Sequence, residues 1–269
     1  MELILLLVVL IVLPVVLFAS LVVIAGAAFA YGALVYTNGA ERDGRWSSSF
    51  VRQTLPIWRW LRRLYRFRVV GEMPVGPVLY AHHPHGMLAT SATLFYADMP
   101  RTHLAVHSNF FRIPLLLREP LLLFGAVDAD PEVIGLQLAR QKSVALLPGG
   151  VREQVAVAKE ELRTNFLQWS YHAWQTPIVP VWAPAELDVC WVWKPAALAS
   201  LRAWGMRQRW LRYPLGTFFC PKPWWMVPPL VVHVGAPVDP RGYESFDAFT
   251  RAFEAAVEDL KRRAAALTL

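Results

Sequence analysis

The hydrophobic pattern divides the chain into an unbroken apolar start and an alternating remainder. From Leu3 to Val35 nearly every residue is apolar, and Glu2 carries the only charge before Glu41. A bilayer core about 30 Å thick needs about 20 helical residues, so the run exceeds one upright span and falls short of two. Pro14 and the Gly26-Ala27-Ala28 region are soft points within it. The pattern therefore predicts one long tilted helix or a hairpin that re-enters the membrane. A cleaved signal peptide is the competing reading, helped by the small residues from Ala25 to Ala30. The acidic start, and an apolar core longer than the usual ~7–15 residues, argue against it.

After the apolar run, Phe50 to Tyr65 interleaves Arg52, Arg59, Arg62 and Arg63 with Trp58, Trp60, Leu61 and Leu64. That pattern predicts a helix lying in the membrane interface. Phe67 to Gly71 reads as a short strand, Glu72 to Gly76 as a turn, Pro77 to Ala81 as a strand and Met87 to Ala97 as a helix. A mixed region follows. The apolar run Ile113 to Phe124 is too short to span and fits a membrane-facing helix or a core helix equally well. Asp130-Pro131 starts a helix that runs to about Gln141. Ser143 to Leu147 and Pro177 to Trp182 read as strands, with a helix from Leu162 to Gln175 between them. Leu187 to Pro229, broken by five prolines from Pro214 onward, reads as irregular. Leu230 to Gly235 is a last strand, and Ser245 caps a final helix whose Phe249, Phe253, Val257 and Leu260 share one face. The alternation predicts a single α/β domain, a mixed sheet flanked by helices, behind an N-terminal membrane-embedded helix or hairpin.

Composition sharpens the membrane reading. The 269 residues are 55% hydrophobic, with a net charge of +7 and 12 tryptophans. A basic balance fits nucleic acid, an anionic membrane or an anionic substrate. Tryptophan favours the headgroup layer, which points to membrane lipids as partners. Nucleic-acid binding would need a solvent-facing stacking platform that nothing else in the sequence supports, so none is expected. Arg42, Arg45 and Arg52 follow the apolar run directly, which places that side in the cytoplasm by the positive-inside rule. Cys190 and Cys220 form no motif and are expected to be buried reduced thiols.

Candidate chemistry concentrates in two turns. The first is Leu79-Tyr80-Ala81-His82-His83-Pro84-His85-Gly86, an apolar strand ending in three histidines. Alternation puts His83 and His85 on one side and His82 on the other. A helix starting just after Gly86 would bring its positive end to His85 and keep the imidazole neutral, as a general base requires. Gly86 allows close approach of a substrate. A zinc site at His83 and His85, completed by His103, His107 or His233, is the rival, although no carboxylate lies near the turn in sequence. No G-x-S-x-G elbow is present, which disfavours a serine hydrolase. The second turn is Pro148-Gly149-Gly150-Val151-Arg152-Glu153. Its glycine N–H groups suit an anion or an oxyanion. Arg152 suits a phosphate or carboxylate, and Glu153 suits the orientation of an imidazole.

Tyr80 with His83-Pro84-His85-Gly86, then Asn109-Phe110 with Pro114 and Arg118-Glu119, then Pro148-Gly149-Gly150 with Glu153, occur in that order. Together they resemble the diacylglycerol acyltransferase type 2 and monoacylglycerol acyltransferase family, within the glycerolipid acyltransferase superfamily. The resemblance covers roughly Arg68 to Arg263. It implies an acyltransferase domain over 68–269, behind an anchor at 1–38 and a basic interfacial segment at 39–67. It implies transfer of a fatty acyl group from acyl-CoA, a co-substrate rather than a cofactor, to the hydroxyl of a neutral glycerolipid or a long-chain alcohol. His85 would be the base, His83 would shape the turn and Glu153 would support His85. Gly86, Asn109, Phe110, Gly149, Gly150 and Arg152 would contact substrate. The partners implied are acyl-CoA, a lipid acceptor and membrane lipids, with homo-oligomerisation left open. The location implied is a membrane with the site on its cytoplasmic face, the endoplasmic reticulum in a eukaryote. Two features depart from the family. Arg152 stands where it often has a small residue, and Pro148, Gly150 and Arg152 also match the P-E-G-T-R-S turn of lysophosphatidate acyltransferases. Those enzymes use H-x4-D, and no Asp follows His83 or His85 at that spacing. The alternatives are therefore a lysophospholipid or lysophosphatidate acyltransferase and, from other classes, a metal-dependent lipid hydrolase or a lipid carrier.

Overall fold

A computed structural model describes residues 8–44, 55–84, 86–97, 99, 101–112, 118–150, 166–208 and 215–266. The chain forms two units, Met1–Ala40 and Glu41–Leu269. In the first, helix α1 spans Leu13–Asn38 and continues without interruption through Gly26 and Gly32. Pro14 lies in its first turn, where no intrahelical N–H bond is lost. Its segment Leu13–Leu34 has 22 residues and a mean hydropathy of 2.5. At 1.5 Å per residue that is about 33 Å, enough to cross a bilayer core.

In the second unit, seven strands among the described residues form one sheet in the order β1-β9-β6-β2-β5-β3-β4. They are β1 (Arg68–Val70), β2 (Leu79–His83), β3 (Thr102–Val106), β4 (Ala126–Asp128), β5 (Ser143–Leu146), β6 (Ile178–Trp182) and β9 (Val231–Val234). All pairings are parallel except β6 with β9. Strand β2 is central and every one of its residues is buried. Leu79 and Ala81 pack with Val144, Leu146 and Ile178 beneath α5 (Pro131–Ala139) and α7 (Phe246–Ala266). Tyr80 faces the other way, with Ala145, Val179 and Val181, against α3 (Thr90–Tyr96). Burial on both faces is why β2, β5 and β6 read as continuous apolar runs. The caps hold as the sequence dictates. Asp130 accepts from Glu132 N at 2.9 Å, and Ser245 Oγ accepts from Ala248 N at 3.2 Å.

The structure differs from the sequence reading in several places. The mixed region holds two strands, β3 and β4, which are short and bury the polar Thr102 and His103. The stretch expected to be irregular contains an antiparallel pair, β7 (Cys190–Trp193) with β8 (Phe218–Pro221), and a helix, α6 (Ala199–Arg207). Cys190 is buried as expected, but Cys220 is exposed on β8, and both are free thiols.

The basic segment contains helix α2 (Pro56–Leu64), and 45–54 lies outside the described residues. Helix α4 (Arg118–Leu123) faces the core through Arg118 and Leu122. Arg118 is fully buried, and its guanidinium contacts Glu41 at 2.9 Å and Glu119 at 3.1 Å. Arg118→Ala is expected to destabilise the protein by about 3 kcal/mol, because it strands two carboxylates. Equilibrium unfolding checks this, and Arg118→Ala combined with Glu41→Gln should recover part of the loss.

Candidate active site

The register of the sheet brings distant motifs to one edge. Leu79 pairs with Val144 and Ala81 with Leu146, while His103 pairs with Val144. The pairings end at Ala81 with Leu146 and Leu104 with Ala145, so His83, Pro148 and His107 follow within a few residues of where the three strands part. Adjacent strands lie about 4.8 Å apart. The histidine turn, the glycine turn and the segment holding Asn109 and Phe110 therefore leave three neighbouring strands at their carboxyl ends. Open α/β sheets bind ligands at this edge.

His82 and His83 complete β2 and are buried. Alternation separates them as expected. His82 joins the α3 face, with Nε2 3.0 Å from Ser91 Oγ and its ring against Phe95 and Tyr96. Both His82 and Ser91 have no exposed surface, so this pair ties the strand to the helix. The His83 carbonyl accepts from Ala183 N at 2.7 Å, which locks the strand end to the end of β6. His85 lies outside the described residues. Gly86 has φ +54, and a Cβ there would stand 2.9 Å from the Glu186 carbonyl oxygen.

The helix expected just after Gly86 starts later in the chain. Helix α3 begins at Thr90, after Ala89 in a left-handed conformation at φ 49. Its first N–H groups are bound by a carboxylate. Glu186 Oε1 accepts from Thr90 N at 2.8 Å and Oε2 from Ser91 N at 2.6 Å. Glu186 is 1% exposed and lies directly behind Gly86. The turn therefore has a carboxylate at its back although none is near in sequence. Glu186 is the residue that sequence reasoning missed, and no local signal marks it, because its contact with Thr90 closes across 96 residues.

In the glycine turn, Gly150 N–H donates to Leu147 O at 2.9 Å and Gly150 has φ +50. That hydrogen bond closes the turn. The N–H of Gly149 makes no hydrogen bond among the described residues. Arg152 and Glu153 lie outside the described residues. Asn109 and Phe110 sit in a 3-10 turn, Ser108–Arg112, where Asn109 N donates to His107 Nδ1 at 3.2 Å and Phe110 N to His107 O at 3.0 Å.

The other titratable groups have structural partners. His103 Nδ1 is 2.8 Å from Gly125 O and its Nε2 is 3.1 Å from Lys142 Nζ. Among the described residues no three of His, Cys, Asp and Glu converge on a point. Burial pushes the Cys190 thiol up to about 11, helped by the Glu186 charge, so it is no nucleophile at neutral pH. A cavity of about 540 Å³ lined by Arg62, Tyr80, Phe95, Arg101 and Ser143 opens toward the amino ends of the strands, away from the histidine turn.

No family model and no curated protein matches the chain. Among solved structures it is similar to the crystal structure of the 1-acyl-sn-glycerophosphate (LPA) acyltransferase PlsC from Thermotoga maritima. The sequences are 13% identical, the TM-score is 0.44, and the match covers 78% of this chain and 80% of that one.

Two expectations arise here. Glu186→Ala should lower stability by about 1–2 kcal/mol through the lost cap, while Glu186→Gln, which keeps an acceptor, should lose less. Denaturant midpoints of the two variants decide it. Burial and the Arg263 guanidinium hold His233 below its ordinary 6.5. The unfolded chain then binds the proton more readily. Stability should be full above pH 6.5 and fall as the pH drops toward the folded-state value, with the slope reduced in His233→Gln.

Proposed function

We propose that this protein is a membrane O-acyltransferase that moves a fatty acyl group from acyl-CoA to the hydroxyl of a glycerolipid. The observation that supports this reading is the adjacency of β2, β5 and β3. It brings His83-Pro84, Pro148-Gly149-Gly150 and Asn109-Phe110 to the region beyond the carboxyl ends of three neighbouring strands. In this reading His85, two residues beyond the locked end of β2, takes the proton from the acceptor hydroxyl. The oxygen attacks the thioester carbonyl, the C–S bond breaks, and the CoA thiolate leaves and recovers the proton. Glu186 holds the turn from behind, and Gly149 offers an N–H to the developing oxyanion. Helix α1 would anchor the chain in the membrane.

The two turns favour different acceptors. The H-P-H-G tetrapeptide resembles enzymes of neutral acceptors, which would give triacylglycerol or diacylglycerol. Arg152 beside the glycine turn favours a phosphorylated acceptor such as lysophosphatidate, since a guanidinium binds phosphate with two N–H groups. Labelled acyl-CoA with lysophosphatidate, monoacylglycerol, diacylglycerol and a long-chain alcohol, in membranes holding the full chain, separates them. His85→Ala is expected to lose transfer by about 10²–10⁴-fold, and near wild-type turnover would sink the mechanism. Arg152→Ala is expected to lose about 10–100-fold with the phosphorylated acceptor alone, the worth of a charged hydrogen bond. Equal loss with all acceptors would point to a role shared by every substrate.

A further inference from the structure

The 50 residues from Val189 to Val238 contain no Asp or Glu, six Lys or Arg, and six of the 12 tryptophans. The β7–β8 pair lies within this stretch. Residues directly opposite in an antiparallel pair share a face. Trp191 is opposite Cys220 and Trp193 opposite Phe218, so these four form one face, while Cys190 and Val192 form the other. The inner face is covered in part, at Cys190 and Val192, while Phe219 on the same side stays 39% exposed. Cys190 and Val192 pack with Val189, Leu94, Val227 and Leu230, and with Met87 of the histidine turn. The outer face is bare, with Trp193 56% and Phe218 52% exposed. The turn Trp224–Met226 adds Trp225 at 67% exposed. Helix α2 joins the same inner cluster through Trp58 and Leu61, and exposes Ile57 and Trp60 beside Arg59 and Arg63. Lys194 and Lys222 flank the two strands, and Lys222 pairs with Asp188 at 3.5 Å.

We infer that the outer face of β7–β8, with Trp225, is a membrane-docking surface that inserts its aromatic rings at the headgroup level of an anionic bilayer. Three features select lipid as the occupant. The stretch is basic without a single acid, which complements anionic headgroups. Its exposed large hydrophobic residues are mostly tryptophan and phenylalanine, the side chains that tolerate a boundary with one apolar and one wet side. The same chain carries a helix long enough to cross a bilayer. This contact is separate from the anchor and does not depend on the acyl-transfer reading. Its consequence is positional. The covered side of the pair packs on Met87 and Leu94, so docking the bare side sets the histidine turn close to the lipid surface.

Cys220 supplies a probe, because it is exposed on the docking face and Cys190 is buried. Full-chain Cys190→Ala protein, labelled at Cys220 with a fluorophore, is placed in nanodiscs of phosphatidylcholine and phosphatidylglycerol. A quencher attached near the lipid headgroup is expected to lower emission about twofold or more, while aqueous iodide leaves it nearly unchanged. Trp193→Ser combined with Trp225→Ser should reverse that ranking without changing the unfolding midpoint, since both side chains are exposed. Quenching by iodide and not by the lipid-borne group overturns the inference. Protection from both quenchers would mean that protein, such as a second copy of the chain, covers the face, and it overturns the inference equally.

Discussion

Strand β2 constrains everything built around it. It is hydrogen-bonded to β5 on one edge and β6 on the other, and buried on both faces. A slip of one residue would drive Tyr80 and His82 into the layer under α5 and α7, and Leu79 and Ala81 into the layer under α3. Neither layer accepts the exchange, because Tyr80 packs edge-on to Phe95 and His82 holds Ser91. The position of His82 and His83 at the end of β2 is thus fixed by packing on two sides and by neighbours on two edges. Little of it depends on the turn itself.

The turn has a second constraint from behind. A seven-residue helix has a weak pole, and its first N–H groups need partners. Glu186 supplies both oxygens to those groups and leaves no room for a side chain at position 86. A buried carboxylate is stable only where hydrogen bonds replace its water, and the two amides provide that. The helix end and the carboxylate stabilise each other. In consequence the loop between Pro84 and Thr90 is held at both ends.

The elements legible in the sequence are those whose pattern reflects burial alone. Strands β2, β5, β6 and β9 are continuous apolar runs, and the face of α7 repeats at helical spacing. The opposite directions of His82 and His83 followed from strand alternation. What escaped depends on tertiary context. Strand β3 carries His103 inward because Gly125 and Lys142 satisfy its ring. The start of α3 was misplaced because Ala89 takes a left-handed conformation that alanine rarely adopts. The β7–β8 pair hid behind its prolines and a two-sided apolar pattern. Glu186 was invisible because nothing local connects Pro184-Ala185-Glu186 with a turn nearly a hundred residues earlier.

These features share one cluster. Glu186 lies four residues before β7, and Val189 and Cys190 continue directly into the apolar group that contains Met87 and Leu94. The segment that caps α3 is therefore also the root of the aromatic pair. A two-stranded ribbon alone is marginal in water, and here its inner face is stabilised by the residues that flank the histidine turn. Displacing the ribbon would disturb Met87 on one side and the Glu186 cap on the other. In the proposed acyltransferase, this would couple the proposed docking face to the loop that follows β2 through a few packed side chains.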